Sequence, residues 1–356
     1  MNQVIEFVQA EVKKEKPEAS TLGFGQYFTD HMFRMDYDPE HGWHSPRIVP
    51  YEPLTLEPSA LVFHYGQAIF EGLKAYRLEN GNILLFRPEK NIRRLNESCR
   101  RMCIPSIDEE LVLEGLQQLI QIEKDWVPSE KGTSLYIRPL IFATEPYLGV
   151  RPSKTYTLLI ILSPVGAYYG DQLSPIKIYV ESEFVRAVEG GVGHVKTSGN
   201  YAASLLAQQK AAQLGYNQVL WLDAKEKTYI EEVGSMNIFF KINGEVWTPK
   251  LNGSILPGVT RDSVIELLHD WGVPVREERI SMKQIRQAYL NGELEEVFGT
   301  GTAAVISPVG ELNWNNERML INDCQTGDLS ERIYKTITNI QYGKEQDRYG
   351  WTMVIE

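Results

Sequence analysis

Residues 190–201, GGVGHVKTSGNY, place a lysine between a glycine-rich loop and the start of an amphipathic helix over 198–215 that Gly215 closes. A lysine held in this way can pack its stem and direct its amine into a cleft. Desolvation lowers the pKa of such an amine, and the neutral form makes a Schiff base with an aldehyde. Taken alone, a solvated surface lysine is the simpler interpretation, so the meaning of Lys196 depends on the other segments.

Two adjacent acids end a predicted strand in TYIEEV, residues 228–233. Neighbouring residues of a strand point to opposite faces, so only one of the two can face a ligand. A buried carboxylate beside a pyridine nitrogen would keep that nitrogen protonated, as the chemistry of pyridoxal phosphate (PLP) requires. The alternative is a pair of solvated acids at a strand end.

Two further segments, LNGSILPGVTRDS (251–263) and FGTGTAA (298–304), combine small residues and threonines at turns. Free backbone N–H groups at such turns, or at a helix start, bind phosphate well. Each segment is equally consistent with an ordinary turn. No GxGxxG, GxxxxGK[ST], HExxH or paired CxxC motif occurs, so common nucleotide and zinc sites have no support.

Composition limits the classes of function. The net charge of -11 argues against non-specific binding to nucleic acid or anionic membrane. The odd, low count of three cysteines is not a disulfide framework and suggests a reducing compartment. No apolar run approaches the roughly 20 residues of a membrane span, and the first residues lack a signal-peptide core, which predicts a cytoplasmic protein.

His41 and His44 in HGWH have metal-ligand spacing, but no third ligand is suggested nearby, so no metal is expected.

The four segments belong to a longer series of motifs that resembles the branched-chain aminotransferases, PLP enzymes of fold type IV. The resemblance runs from GFGQYFTDHM (23–32) to IQYG (340–343). In family order the motifs are FHYGQAIFEGLKAYR (63–77), TSLYIRP (133–139), EPYLGV (145–150), SPVGAYY (163–169), VKTSGNY (195–201), EEVGSMNIF (231–239), ILPGVTR (255–261) and FGTGTA (298–303). The chain is similar to a bacterial member of the longer, mammalian-like subgroup.

The resemblance implies an α+β fold of two domains, with the site between them. A small N-terminal α/β domain is expected over 1–165, an interdomain loop over 166–175, and a large PLP-binding domain over 176–356. The family pattern also implies a homodimer, because Leu148 and Val150 match a loop that reaches into the neighbouring subunit's site.

The resemblance assigns cofactor roles to matching positions. Lys196 would bind PLP covalently and act as the catalytic base, Tyr201 would contact its phenolic oxygen, and Glu232 would face its ring nitrogen. Arg94 aligns with the phosphate-binding arginine, with Arg93 as the alternative if the register slips by one residue. The remaining implied cofactor contacts are Ser235, Val259, Thr260 and Thr302.

The substrate cavity is implied in the same way. Its aromatic walls would suit leucine, isoleucine and valine side chains. Arg138 and tyrosine hydroxyls are candidates for the second carboxylate of glutamate or 2-oxoglutarate, and Tyr65 for the α-carboxylate. The implied cavity residues are Phe24, Tyr65, Phe70, Tyr136, Arg138, Leu148, Val150, Tyr168, Thr302 and Ala303.

The sequence departs from the family pattern at one place, and other functions are compatible with the same motifs. Mammalian members carry a CxxC redox pair where this chain has Ala304 and Ser307, so redox control of that kind is not expected.

D-amino-acid transaminase and aminodeoxychorismate lyase share the fold and would keep Lys196 and Glu232. A non-catalytic PLP-binding protein is the rival from another class, and it predicts a decayed site.

Overall fold

The computed structural model describes residues 3–166 and 173–355. Within these described ranges, eighteen strands follow one another: β1 (Glu6–Phe7), β2 (His31–Asp38), β3 (Gly42–Pro50), β4 (Ala68–Phe70), β5 (Leu73–Arg77), β6 (Ile83–Phe86), β7 (Ser134–Ala143), β8 (Tyr156–Val165), β9 (Ile176–Val180), β10 (Gln218–Leu222), β11 (Ile230–Val233), β12 (Asn237–Ile242), β13 (Glu245–Pro249), β14 (Val275–Glu278), β15 (Leu294–Gly301), β16 (Val305–Trp314), β17 (Glu317–Leu320) and β18 (Thr352–Ile355).

The α-helices are α1 (Leu61–Tyr65), α2 (Pro88–Arg101), α3 (Glu109–Ile122), α4 (Ser198–Ala202), α5 (Leu205–Gln213), α6 (Val259–Asp270), α7 (Met282–Leu290) and α8 (Asp328–Gln341). Short 3-10 helices cover Ala19–Thr21, Lys124–Trp126 and Asn322–Cys324. In the part of the chain that the structure describes, no helix has the length and apolar character needed to cross a membrane.

The chain divides into two compact units. The first takes in the described residues of Met1–Tyr168, Val195–Ser198 and Asn339–Glu356, and the second those of Tyr169–His194 and Gly199–Thr338. Each of the two domains expected from the sequence, 1–165 and 176–356, is a single continuous stretch of the chain. Packing instead assigns two late segments to the first unit, because β18 pairs with β6 and Thr197 bridges to Ile69.

The first unit is built on one sheet in the order β1-β3-β2-β8-β7-β5-β6-β18, with β4 beside β7. Most of its pairs are antiparallel. Helices α2 and α3 pack together over one face, where they bury an apolar core with residues of β5, β7 and β8. Local sequence explains both helices. Pro88 stands in the first turn of α2, and the Asp108 carboxylate caps α3 by accepting from the N–H groups of Glu110 and Leu111.

The second unit has its own sheet, in the order β11-β10-β9-β16-β15-β12-β13-β14 with β17 beside β16. Its core lies under α7, which begins at a capping box formed by Ser281 and Gln284. The sequence Asn243-Gly244 between two apolar runs predicts a hairpin, and the structure confirms it: β12 and β13 pair up to Ile242 and Glu245, and both turn residues have positive φ. Two mainly antiparallel sheets with separate helices make this an α+β fold, as the sequence predicted.

Two predictions from local sequence are wrong. The β-branched and aromatic residues of SALVFHYG (59–66) predict a strand, but this segment contains α1, which Gly66 ends at a φ of 60°. The single helix expected over 198–215 is interrupted between α4 and α5. There Ser204 Oγ donates to the carbonyl of Tyr201 at 2.7 Å, an example of a serine side chain that competes with helical backbone bonding.

Candidate active site

One face of the first sheet is polar at its centre. Along β7, Leu135 and Ile137 enter the apolar core, so the strand alternation directs Tyr136 and Arg138 to the opposite face. Ser163 of β8 lies directly across from Tyr136, and Lys74 of β5 lies on its other side. Four polar side chains from three adjacent strands therefore share one patch of sheet.

Two polar atoms in this patch are buried without a hydrogen-bond partner among the described residues, namely Arg138 Nε and Ser163 Oγ. Arg138 Nη2 donates to the Tyr136 hydroxyl at 3.0 Å, and the Phe24 ring meets Tyr136 edge-on at 4.9 Å between centroids. Buried polar atoms are normally satisfied, and exceptions call for a ligand or a functional reason. The patch is suited to an anionic group that the guanidinium can bind.

Gly72 is required by this arrangement. A Cβ atom at position 72 would lie 2.1 Å from the Tyr136 hydroxyl oxygen, far inside van der Waals contact. The glycine of the EGLKAYR motif therefore leaves the space that the tyrosine hydroxyl occupies.

The segment around Lys196 is held to β4 and α2 by backbone and hydroxyl contacts. The Phe70 N–H donates to the Lys196 carbonyl at 3.0 Å, and the Lys196 N–H donates to Ser98 Oγ at 3.1 Å. The Thr197 hydroxyl donates to the Ala68 carbonyl at 2.8 Å. The backbone of Lys196 is thus anchored on both sides.

The Lys196 amine lies 4.8 Å from the centroid of the Phe70 ring, and the Arg138 guanidinium lies 4.6 Å from the same ring. Burial lowers the pKa of Lys196 to about 8; Glu71 opposes that shift, and Arg94 adds to it. A substantial fraction of the amine is neutral near physiological pH, which is the form that attacks carbonyl carbon and accepts a proton.

Glu71 and Arg94 form a buried pair beside this lysine. Arg94 Nε and Nη2 donate to the two oxygens of the Glu71 carboxylate at 2.7 and 2.9 Å, and Asn91 Nδ2 donates to it at 2.8 Å. Burial opposes ionisation of Glu71, but Arg94, Lys196 and Asn91 outweigh it and hold the pKa of that carboxyl below its usual value. Arg94 is buried and Arg93 is exposed, so the geometry favours Arg94 over its neighbour as the site arginine.

The lowered pKa of Lys196 predicts a pH-dependent stability of the cofactor-free protein. Lys74, on the same sheet face, also has a pKa lowered to about 8 by burial. Between pH 8 and the usual lysine value of 10.5, the unfolded chain binds more protons than the folded one, so the free energy of unfolding rises with pH. Each lysine contributes up to about 3 kcal/mol to this rise. Urea denaturation from pH 7 to 11 should show it.

The Lys196→Met and Lys74→Met variants should each lose part of that rise and be more stable than the parent at pH 7. Lys210, an exposed lysine 3.3 Å from Glu183, is the matched control, and Lys210→Met should keep the parental pH slope. Parallel curves for all four proteins would show that neither buried amine is desolvated.

In the second unit, the Glu232 carboxylate is buried and held by two groups. Arg186 Nε lies 3.1 Å from one oxygen, and the Leu256 N–H donates to the other at 2.7 Å. Arg186 Nη2 also donates to the carbonyls of Gly193, at 3.2 Å, and Ser254. A buried arginine opposite Glu232 favours the ionised carboxylate.

Glu231 is equally buried, which rules out a pair of solvated acids. It accepts hydrogen bonds from the Ser254 hydroxyl and from Asn252 Nδ2, while its Oε2 has no partner among the described residues. Burial raises the pKa of Glu231, and the bonds from Ser254 and Asn252 only partly oppose this. The two adjacent acids therefore lie in different surroundings: Glu232 faces an arginine, and burial disfavours the charged form of Glu231.

The predicted phosphate contacts occupy a helix start and a turn. Val259 and Thr260 open the twelve-residue helix α6, where backbone N–H groups are not used within the helix. A Cβ at Gly258 would lie 2.1 Å from Asn237 Oδ1, so the preceding turn requires glycine. Thr302 and Ala303 lie in the turn between β15 and β16. Next to that turn, Thr300 Oγ1 is buried without a partner in the described ranges.

The other predicted positions are more scattered. The Tyr65 hydroxyl, at the end of α1, donates to the Leu148 carbonyl, and the side chains of Leu148 and Val150 are 62% and 82% exposed. Tyr201 lies half-buried in α4, and Ser235 is exposed. Tyr168 lies outside the described residues.

Sequence reasoning missed several neighbours of the predicted residues, above all Glu71, Arg186 and Lys74. Glu71 and Lys74 both lie in EGLKAYR, where charged residues interrupt an apolar stretch. That interruption was the signal in the sequence that could have identified them. Arg186 carries no such signal, because its partner Glu232 is distant along the chain.

Comparison with known proteins places this geometry in a family. The model of the class IV aminotransferases matches residues 68–312, which include the polar sheet face, Lys196, both acids and α6. The chain belongs to that family and is an aminotransferase.

Among its relatives, Branched-chain-amino-acid transaminase 1 of Bacillus subtilis (strain 168) is 65% identical over 356 residues, covering 100% of both chains. Branched-chain-amino-acid aminotransferase 2 of the same organism is 62% identical, with 98% of this chain and 96% of that one covered. Among solved structures, the Escherichia coli branched-chain amino acid aminotransferase is similar with a TM-score of 0.77 at 28% identity, covering 92% of this chain and 99% of that one. The T.th. branched-chain amino acid aminotransferase complexed with N-(5'-phosphopyridoxyl)-L-glutamate has a TM-score of 0.76 at 25% identity, with 93% and 100% covered.

Proposed function

We propose that this protein is a branched-chain amino acid aminotransferase that uses PLP to exchange amino groups reversibly between L-leucine, L-isoleucine or L-valine and 2-oxoglutarate. The observation that carries the proposal is the Lys196 amine, which has a pKa of about 8 and lies beside the Phe70 ring and the Glu71–Arg94 pair. The names of the relatives at 65% and 62% identity support the substrate class.

The residues present fit PLP. A desolvated lysine amine suits the cofactor's aldehyde, and the helix start at Val259 and Thr260 suits its phosphate. The Glu232 carboxylate, which pairs with Arg186, suits a protonated ring nitrogen. Thr300 Oγ1 is buried and has no hydrogen-bond partner among the described residues, so it can form a hydrogen bond to a group bound next to the turn that contains Thr302. When bound, PLP supplies the electron-withdrawing ring that weakens the Cα–H bond of the substrate.

The chain's own residues supply the proton transfers and the binding energy. Lys196 Nζ would take the Cα proton of the amino acid and pass a proton to the C4′ carbon of the cofactor, and it would move protons in the opposite direction in the second half of the cycle. Its lowered pKa favours both roles near neutral pH. Glu71 fixes the Arg94 guanidinium through two parallel hydrogen bonds, so that the positive charge beside the lysine has one orientation.

Substrate recognition would use the polar sheet face. Arg138 Nε, which is buried and has no partner among the described residues, would bind a substrate carboxylate together with the Tyr136 hydroxyl. The rings of Phe24, Phe70 and Tyr136 offer apolar surface for a branched side chain. Such a site can accept the carboxylate of glutamate and the alkyl group of leucine in turn.

The test is amino transfer by the PLP-loaded protein. L-leucine, L-isoleucine and L-valine, each with 2-oxoglutarate, should yield L-glutamate with steady turnover. D-alanine with 2-oxoglutarate and aminodeoxychorismate alone are the matched alternatives. Turnover of D-alanine or aminodeoxychorismate without turnover of L-leucine would move the assignment to a rival of the same fold. Tight PLP binding with no turnover of any of them would indicate a non-catalytic binding protein.

We also propose that the active form is a homodimer in the cytoplasm. The exposed apolar side chains of Leu148 and Val150 are suitable for burial against a second copy of the chain. The low count of three cysteines in 356 residues supports a reducing compartment. Sedimentation of the PLP-loaded protein should give twice the chain mass, and a fully active monomer would contradict the dimer.

A further inference from the structure

The turn between β2 and β3 brings together three groups that the proposed reaction does not use. Asp38 is the last residue of β2, His41 lies in the turn, and His44 lies near the start of β3. Asp36 pairs with His44 and Asp38 pairs with Gly42, so the register places Asp38 and His44 on the same face of the hairpin. The sequence suggested no third ligand for the two histidines, and the fold supplies one.

Both imidazoles direct a nitrogen to the same carboxylate. His41 Nδ1 lies 3.1 Å from each Asp38 oxygen, and His44 Nε2 lies 2.9 Å from Asp38 Oδ2. One ligand atom from each of the three residues lies within 4.8 Å of the other two. In a tetrahedral zinc site with bonds of about 2.0–2.1 Å, neighbouring donor atoms are about 3.3 Å apart. The carboxylate contacts are already close to that spacing, and the His41 side chain, 60% exposed, can rotate to complete it.

The surroundings hold the donor atoms in position. Asp38 Oδ1 accepts the N–H groups of Glu40 at 2.8 Å and His41 at 2.9 Å, which fixes the carboxylate and directs Oδ2 to the histidines. His44 Nδ1 lies 2.9 Å from Ser45 Oγ, a bond of the kind that sets the tautomer and leaves Nε2 for a metal.

The charge of Asp38 is available to a cation. The nearby Asp36 is already paired with Arg34 and Arg47. Asp38, by contrast, has no lysine or arginine within ion-pair distance in the described part of the chain; its ion-pair contacts are the two histidines. Two imidazoles and one carboxylate are ligands that zinc and similar divalent ions prefer.

We propose that Asp38, His41 and His44 form a binding site for a divalent transition-metal ion, with Zn²⁺ as the best fit, at the β2–β3 turn. The ion would link the end of one strand to the start of the next. The remaining coordination position is open to water, because the turn is exposed.

The test is a titration of the PLP-loaded protein with Zn²⁺ alone, after treatment with a chelator, against a chromophoric competitor. Asp38→Asn, His41→Gln and His44→Gln should each weaken Zn²⁺ binding at least about tenfold, because losing even an outer partner of a metal ligand commonly costs that much. Asp38→Asn keeps an oxygen that can accept from Glu40 and His41, so the turn should remain folded. His269→Gln, which removes an exposed histidine from α6, is the control that should leave binding unchanged.

Co²⁺ gives an independent readout of the ligands. Its visible bands should indicate nitrogen and oxygen ligands without the ultraviolet band of a thiolate, which excludes the exposed Cys103 and Cys324 as the source. If Zn²⁺ affinity is the same in all three variants as in the parent, the imidazoles serve only as hydrogen-bond partners of Asp38 and the proposal fails. The catalytic assay does not enter either readout, so loss of the proposed aminotransferase activity would leave this test unaffected.

Discussion

Replacing Lys196 by alanine is expected to reduce turnover of L-leucine and 2-oxoglutarate about 10³-fold or more. The amine is assigned two tasks, attachment of PLP and transfer of the Cα proton, and alanine performs neither. The anchoring contacts of this segment come from the backbone of Lys196 and from the Thr197 hydroxyl, so they survive the substitution. The measurement is kcat of the PLP-saturated variant under steady-state conditions.

The control for Lys196→Ala is Lys210→Ala, which removes an exposed lysine and should leave kcat within about twofold. A small primary amine added to the assay should restore part of the activity of Lys196→Ala, because it can replace the missing base. Residual turnover within tenfold of the parent, without added amine, would remove Lys196 from the centre of the mechanism.

Local sequence signals account for much of the fold. The Asn243-Gly244 turn needs positive φ at both residues, and few residue pairs other than Asn-Gly provide it easily, so the hairpin was predictable. The stretch SALVFHYG was not, because five residues of α1 are too few to show helical periodicity and its β-branched and aromatic residues favour a strand.

For the candidate site, the sequence predicted individual residues but not their contacts. The family motifs single out Lys196, Glu232 and Arg138, but they do not show which groups hold each of these side chains. Burial of Glu71 beneath Arg94, or of Arg186 opposite Glu232, depends on contacts between segments that are distant along the chain. No periodicity or spacing reports such contacts, which are fixed only when strands and loops are assembled. For the same reason, the sequence did not indicate that Asp38 contacts His41 and His44.

The adjacent acids of β11 provide a matched pair for the second large effect. Glu232→Gln is expected to lower kcat by about two orders of magnitude, equivalent to roughly 3 kcal/mol in the barrier. The amide can still accept from the Leu256 N–H, but it carries no charge to keep a pyridine nitrogen protonated. The measurement is kcat with L-leucine per folded, PLP-loaded subunit, because the substitution also removes the ion pair with Arg186.

Glu231→Gln should stay within about threefold of the parent in the same assay. Burial penalises the charged form of Glu231 and raises its pKa, and its Oε2 has no partner among the described residues, so an uncharged amide of the same shape costs little at this position. The bond from the Ser254 hydroxyl would be retained by the amide oxygen. Equal losses in the two variants would mean that the ionised state of Glu232 does not matter to the reaction. A larger loss in Glu231→Gln would instead shift the functional carboxylate by one residue, to the opposite face of the strand.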